Sequence, residues 1–251
     1  MDKEDKNESL VLPPRDYSDI AKLQEPNVLD QFLEHPTTAA LEVITGAFAG
    51  GGKGLMVSAG RIAQGLVKGQ MYDALADELR RLREAGKLPD DLGSTKHGLH
   101  TWAELCAMID DECPDAERLE AMKAMFYAVN KPNDSDKAVI LAYELWQMAK
   151  QLNSAELLIL KTAYENRHRQ FGGDFDQWAN YIATESGLGS KSLVEFHEKR
   201  LGEMLLLTGR FLDDGSKIRP EYARLTGLGM QFCQNIEIYK IDLKATTEQS
   251  G

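Results

Sequence analysis

Four side chains of the kinds that ligate zinc, His97, His100, Cys106 and Cys113, fall within one short stretch of this chain. Imidazole and thiolate ligands hold zinc tetrahedrally when a loop and a helix bring them together, so His97-x-x-His100 would have to face the two thiols. The spacing matches no compact zinc module. Cys106 also falls on the apolar stripe of its helix, where cysteine behaves as a small hydrophobe. A second metal-like pattern, Glu165-Asn166-Arg167-His168, has the Glu-x-x-His spacing of a di-iron helix, with both side chains on one helix face. A di-iron bundle needs two such helices and further inward carboxylates, and one copy is present. His168 lies between Arg167 and Arg169 at a helix end, where positive charge suits the helix dipole. Asp110-Asp111-Glu112 reads as a charged helix end. We expect no metal and no cofactor.

Gly50-Gly51-Gly52-Lys53 resembles a phosphate-binding loop, but Ala47 stands where the first glycine belongs and Gly54 where the magnesium-binding Ser or Thr belongs. No serine or cysteine has a local nucleophile signature, so the chain reads as non-enzymatic. Binding is the remaining chemistry. Ser190, Lys191 and Ser192 open a helix that could enter a DNA major groove with Lys199 farther along it. Arg210, Lys217, Arg219 and Arg224 follow in a turn-rich stretch that could supply phosphate contacts. Against this, Glu195, Glu198 and Glu203 are expected on the outward face of the same helix. Residues 191–224 hold seven basic against six acidic side chains, which makes a nearly neutral surface. Duplex DNA and a protein partner therefore stand side by side as expected ligands.

The elements that would position these residues are helical. Asn153-Ser154-Ala155-Glu156 begins a helix with a capping box, Asp174 caps a second, Gly187 and Gly189 turn the chain, and Ser190 caps a third helix packing Leu193, Phe196, Leu201, Met204 and Leu205. Gly209 and Asp214-Gly215 punctuate a hairpin. Leu225-Thr226 then caps a last helix through Leu228, Phe232 and Ile236. This order is that of a winged helix-turn-helix over residues 151–241, with a polar tail at 242–251.

Residues 15–150 read as a helical bundle after a tail at 1–14. Short helices are expected around Tyr17 to Gln24, Val28 to His35 and after Thr37 or Thr38. A long helix from Leu55 to Ala85 carries Ile62, Leu66, Met71, Leu75, Leu79 and Leu82 at three-to-four spacing. Thr101 starts the next helix, Pro114 takes the first position of another, and Asp134 or Ser135 caps a fourth. The fold class is thus mainly α: an N-terminal helical bundle, then a winged helix-turn-helix with a small β-hairpin.

Residues 46–69 stand apart. Gly46, Gly50 and Gly54 recur every four residues, as do Gly65 and Gly69, and Lys53 is the single charge between Val43 and Gly60. Such spacing lays a smooth groove along a helix and permits close helix pairing, in a membrane or in an oligomer. A glycine triplet also costs a helix roughly 1 kcal/mol per residue, which favours a linker. The segment is too rich in Gly and Ala for a strong membrane span.

Composition sets the background. The net charge is -11, which opposes non-specific attraction to nucleic acid. Three cysteines and a charged N-terminus without an apolar run fit a cytoplasmic, disulfide-free chain. Across about half the chain the sequence resembles the Abi-alpha proteins of bacteria. The likeness lies in the Asp115 to Glu165 run, with Leu119-Glu120-Ala121-Met122 and the stretch from Trp146-Gln147-Met148 to Glu156-Leu157, and in the ending Leu225-Thr226-x-Leu228-Gly229 with Phe232. Ala155 departs from the acidic or polar residue of that pattern, and the glycine-rich segment has no counterpart in it. The resemblance implies phage resistance by abortive infection and no catalytic residue. The reading is a defence-associated or regulatory protein that recognises DNA or protein; the alternative is a membrane-directed or homo-oligomerising effector using residues 46–69.

Overall fold

A computed structural model describes Asp30, Leu33 and residues 59–132, 134–169, 171, 175–209 and 224–249. The fold is mainly helical. Eight α-helices follow one another among the described residues: α1 (Ala59–Glu84), α2 (Gly98–Glu112), α3 (Ala116–Val129), α4 (Asp136–Ala149), α5 (Ser154–Glu165), α6 (Phe175–Glu185), α7 (Lys191–Glu203) and α8 (Gly227–Gln249).

Helix α3 is the hub. It packs against α2, α4, α5 and α8, because Ala121, Met122, Ala124, Met125, Phe126, Tyr127 and Val129 bury nearly its whole circumference. Helix α1 presents Tyr72, Leu75, Leu79 and Leu82 to the same core, and Leu33 joins it while Arg80 donates to the Leu33 carbonyl at 2.7 Å. Helix α5 links this bundle to a three-helix unit in which α5, α6 and α7 touch one another.

Several expected caps are present. Asn153 and Glu156 form a reciprocal capping box, Ser135 caps α4, Ser190 caps α7, and the Thr226 hydroxyl accepts from Gly229 N at 3.0 Å at the start of α8. Other boundaries differ from the sequence expectation. Helix α2 begins at Gly98, one turn before Thr101, and the Thr101 hydroxyl instead donates back to the His97 carbonyl at 2.9 Å. Pro114 precedes the N-cap Asp115 of α3, whose carboxylate accepts from Arg118 N. The polar tail expected from residue 242 continues as helix to Gln249: Leu243 packs on the core, and Arg81 of α1 donates to the Thr247 hydroxyl at 2.8 Å.

The described residues contain no strand, but Leu207 and Leu225 form an isolated antiparallel bridge, flanked by Thr208 N to Arg224 O at 2.7 Å and Thr226 N to Leu206 O at 3.2 Å. The expected hairpin itself lies at 210–223, outside the described residues. Gly229 makes the junction possible: a Cβ there would stand 2.1 Å from the Leu206 carbonyl oxygen, so no larger residue fits while α8 starts this close. The Asp174 cap, the early helices apart from Asp30 and Leu33, the Gly50-Gly51-Gly52-Lys53 loop, and Gly46, Gly50 and Gly54 also lie outside the described residues; Gly65 and Gly69 lie in α1.

Candidate functional site

Helices α6 and α7 follow one another across a glycine turn. Trp178, Ala179, Ile182 and Ala183 form the buried stripe of α6, at the spacing of successive helical turns. Gly187 and Gly189, both at positive φ, then fold the chain back so that Gly189 N reaches the Ala183 carbonyl at 2.8 Å. Ser190 accepts from Leu193 N and starts α7, whose buried face is Val194, His197, Glu198 and Leu201.

Two of those four buried residues are polar, and each meets a partner from another element. Glu156 of α5 is fully buried; its Oε2 accepts from Asn153 N at 3.0 Å, while Oε1 lies 3.3 Å from His197 Nδ1 and 3.2 Å from Arg200 Nη1. Arg200 also donates to the Gln151 carbonyl. Glu198 pairs with Arg224, which donates in addition to the Thr208 carbonyl and lies over the rings of Phe175 at 4.8 Å and Trp178 at 4.6 Å. Arg224 is thereby 6% exposed and sits at φ +65 beside the Leu207–Leu225 bridge.

These contacts rearrange the expected DNA-facing set. Glu198 points inward, not outward, because Arg224 returns from far along the chain to neutralise it. Arg224, expected to reach a phosphate, is spent on that interior pair. Ser190 is used as a cap, and Lys191 lies 2.8 Å from Asp176 and 3.7 Å from Glu195. Ser192 and Lys199 are exposed as expected, with Lys199 3.9 Å from Glu203. Arg210, Lys217 and Arg219 fall outside the described residues.

The outer face of α7 also holds what the sequence reading put in the core. Phe196 is 72% exposed and Leu193 is 38% exposed; Leu205, one residue past the C-cap Met204, is exposed too. The signal was available: Val194 and Leu201 are seven residues apart on one stripe, which turns Phe196 toward the other side. Arg200, half-exposed on this helix, was not among the expected site residues either.

The metal-like patterns are not assembled. Among the described residues no three His, Cys, Asp or Glu side chains gather closely enough to hold a metal ion. The His97 ring stacks on Tyr143 at 4.0 Å, His100 lies 3.6 Å from Glu104, and burial pushes the Cys106 thiol up to about 12. His168 follows the end of α5, so it does not share a helix face with Glu165. A groove of about 230 Å³ between α3, α5 and α8 is floored by Leu157, Leu160, Phe232 and Cys233. Burial pushes the Cys233 thiol up to about 12 and the Tyr164 hydroxyl donates to Glu237, so neither group is poised as a nucleophile or base. No helix among the described residues is long and apolar enough to cross a membrane.

Fold and site together define a mainly helical protein in which, among the described residues, Phe196 on the outer face of α7 is the most exposed aromatic side chain. Comparison of the chain with protein-family models, with characterised proteins and with solved structures finds no match.

Proposed function

We propose that this chain is a non-catalytic recognition protein that engages another protein through the outer face of α7. In this reading the α6–α7 pair serves as a helix-turn-helix, followed by the Leu207–Leu225 bridge. The observation that carries this reading is Phe196, 72% exposed between Ser192 and Lys199 on that face. A helix that reads bases presents donors and acceptors there, whereas an aromatic anchor among mixed charges is what a protein interface uses.

Electrostatics supports the same choice. Lys191, Lys199 and Arg200 are the basic groups of α7, and Glu195 and Glu203 stand beside them, so the face lacks the positive excess that phosphate binding draws on. Arg224 adds nothing at the surface. The Abi-alpha resemblance supplies the biological setting, phage resistance in bacteria, in which such a surface would sense or pass on a signal by contact.

The test pairs two measurements. Titration of labelled duplex DNA at low salt should give no shift. A photo-crosslinking residue at position 196 of the full chain should give protein adducts. A salt-dependent DNA shift that Lys199→Ala abolishes would overturn this reading in favour of DNA.

A further inference from the structure

The outer face of α7 has a charge order that matches itself. Ser192, Phe196, Lys199 and Glu203 follow at steps of four, three and four residues, which lays them along one stripe of the helix. Glu195 and Lys199 lie symmetrically about position 197, and so do Lys191 and Glu203. When two copies of a helix cross antiparallel about a two-fold axis at position 197, residue 197 − n of one meets residue 197 + n of the other. The Glu195–Lys199 pair then joins opposite charges, and the two lie on the same side of the stripe, as such a pairing requires, while Lys191 lies off the stripe and stays with Asp176.

We infer that α7 binds a second copy of this chain, antiparallel, with Phe196 packing across the two-fold axis and Glu195 of each copy facing Lys199 of the other. The inference rests on the reading of this face as a protein-recognition surface and names its partner. A parallel crossing would set Lys199 against Lys199 and is disfavoured. The charge of the whole chain restricts where two copies can meet. At -11, two copies repel one another, and the α7 face, where Lys191, Lys199 and Arg200 offset Glu195 and Glu203, adds no local excess of negative charge to that repulsion.

Leu193 and Leu205 enlarge the apolar part of the patch. Even so, thirteen helical residues span about 20 Å, which is small beside a standard interface of about 1,600 Å². The pair should therefore be weak and reversible, with a dissociation constant on the order of tens of micromolar.

Sedimentation equilibrium of the full chain, from about 5 to 500 μM, tests this against charge variants. Phe196→Ala, Lys199→Glu and Glu195→Lys should each weaken self-association at least about tenfold, since the charge changes place like charges opposite one another. The decisive step is mixing. Lys199→Glu and Glu195→Lys, each weakly self-associating alone, should associate with one another to within about threefold of the original chain, because both cross-pairs become complementary in the mixture. Charge effects confined within one helix predict no such rescue. Failure to associate on mixing, or a dimer indifferent to Phe196→Ala, would overturn the inference. A monomeric original chain at the highest concentration would overturn it as well. The recognition reading survives those outcomes where crosslinks from position 196 join a different protein, and falls with the inference where they join none.

Discussion

The interface that seats α7 and the interface that joins α1, α3 and α8 both carry charged groups, but they bury them to different depths. Glu156, Glu198 and Arg224 are nearly sealed from water; Glu156 and Arg224 each draw on several partners, and Glu198 pairs with Arg224. At α1, α3 and α8, Lys123 pairs with Glu78 at 2.6 Å and Tyr239 donates to Glu78, while Asp242 accepts from Tyr127 at 2.7 Å and from Lys87 at 3.1 Å. The charged members ring an apolar core and keep contact with solvent, while Tyr127 and Tyr239 are buried. Apolar packing alone fixes distance between helices but leaves rotation soft. A buried carboxylate that must meet one guanidinium fixes rotation too, so the outer face of α7 is held in a defined direction by what its inner face cannot do without.

The largest expected effect follows from removing one member of the most buried pair. Arg224→Ala takes the guanidinium away from the buried Glu198 carboxylate and should destabilise the protein by about 3–5 kcal/mol in urea unfolding. Replacing both together, Glu198→Met with Arg224→Met, should recover most of that loss. A double variant as unstable as the single one would mean that the Arg224 contacts to Thr208, Phe175 and Trp178 matter more than the charge pair.

Glu156→Ala comes next, at about 2–3 kcal/mol, because it removes one half of the capping box and the acceptor of His197 and Arg200 together. The loss is smaller than for Arg224 because Arg200 is half-exposed and can turn to water. By contrast Lys123→Met, whose side chain is 13% exposed against 17% for Glu78, should change stability by about 1 kcal/mol, since Glu78 keeps Tyr239. Equal losses at Glu156 and Lys123 would erase the distinction between the two interfaces.

How much of this was legible in the sequence follows from the range of each interaction. The capping box at Asn153, the Ser190 cap and the glycine turn at 187–189 are local, so residue type and spacing announce them. Gly229 was legible as part of a motif, but its reason is the Leu206 carbonyl, over twenty residues earlier. The inward turn of Glu198 was hidden for the same cause. Its partner Arg224 lies 26 positions away, and a glutamate on a polar stripe looks solvated until that partner is placed. Phe196 misled in the opposite direction, since an aromatic beside Val194 and His197 reads as core by type and as surface by periodicity.

Acid should find the bundle side of the comparison. Burial alone would raise the Asp242 carboxyl, but hydrogen bonds from Tyr127 and Lys87 outweigh it and hold the group below its ordinary value of 3.8. Glu104 is likewise held below 4.5 by Lys150 and Trp146 despite burial, and burial holds His97 below 6.5. A group whose folded pKa is depressed stabilises the fold above its ordinary pKa and loses that contribution as pH falls through the folded value. Stability should therefore begin to fall below pH 6.5 through His97, further below 4.5 through Glu104 and further again below 3.8 through Asp242. Asp242→Asn should flatten the lower part of a plot of unfolding free energy against pH. An unchanged slope would remove Asp242 from the account.

The smallest expected effect sharpens the comparison most. Phe196→Ser touches a side chain already in water, so its urea midpoint should match that of the original chain to within about 0.5 kcal/mol, in a helix whose other face carries the largest losses. Removing an exposed aromatic even relieves apolar surface from solvent, so a slight gain is also consistent. A structural role for Phe196 would instead appear as a loss of the size seen for core aromatics, about 3 kcal/mol or more. With stability unchanged, any loss of self-association or of crosslinking in this variant belongs to the surface alone. One helix would then divide its labour by face, with Glu198 on the inside setting where Phe196 points on the outside.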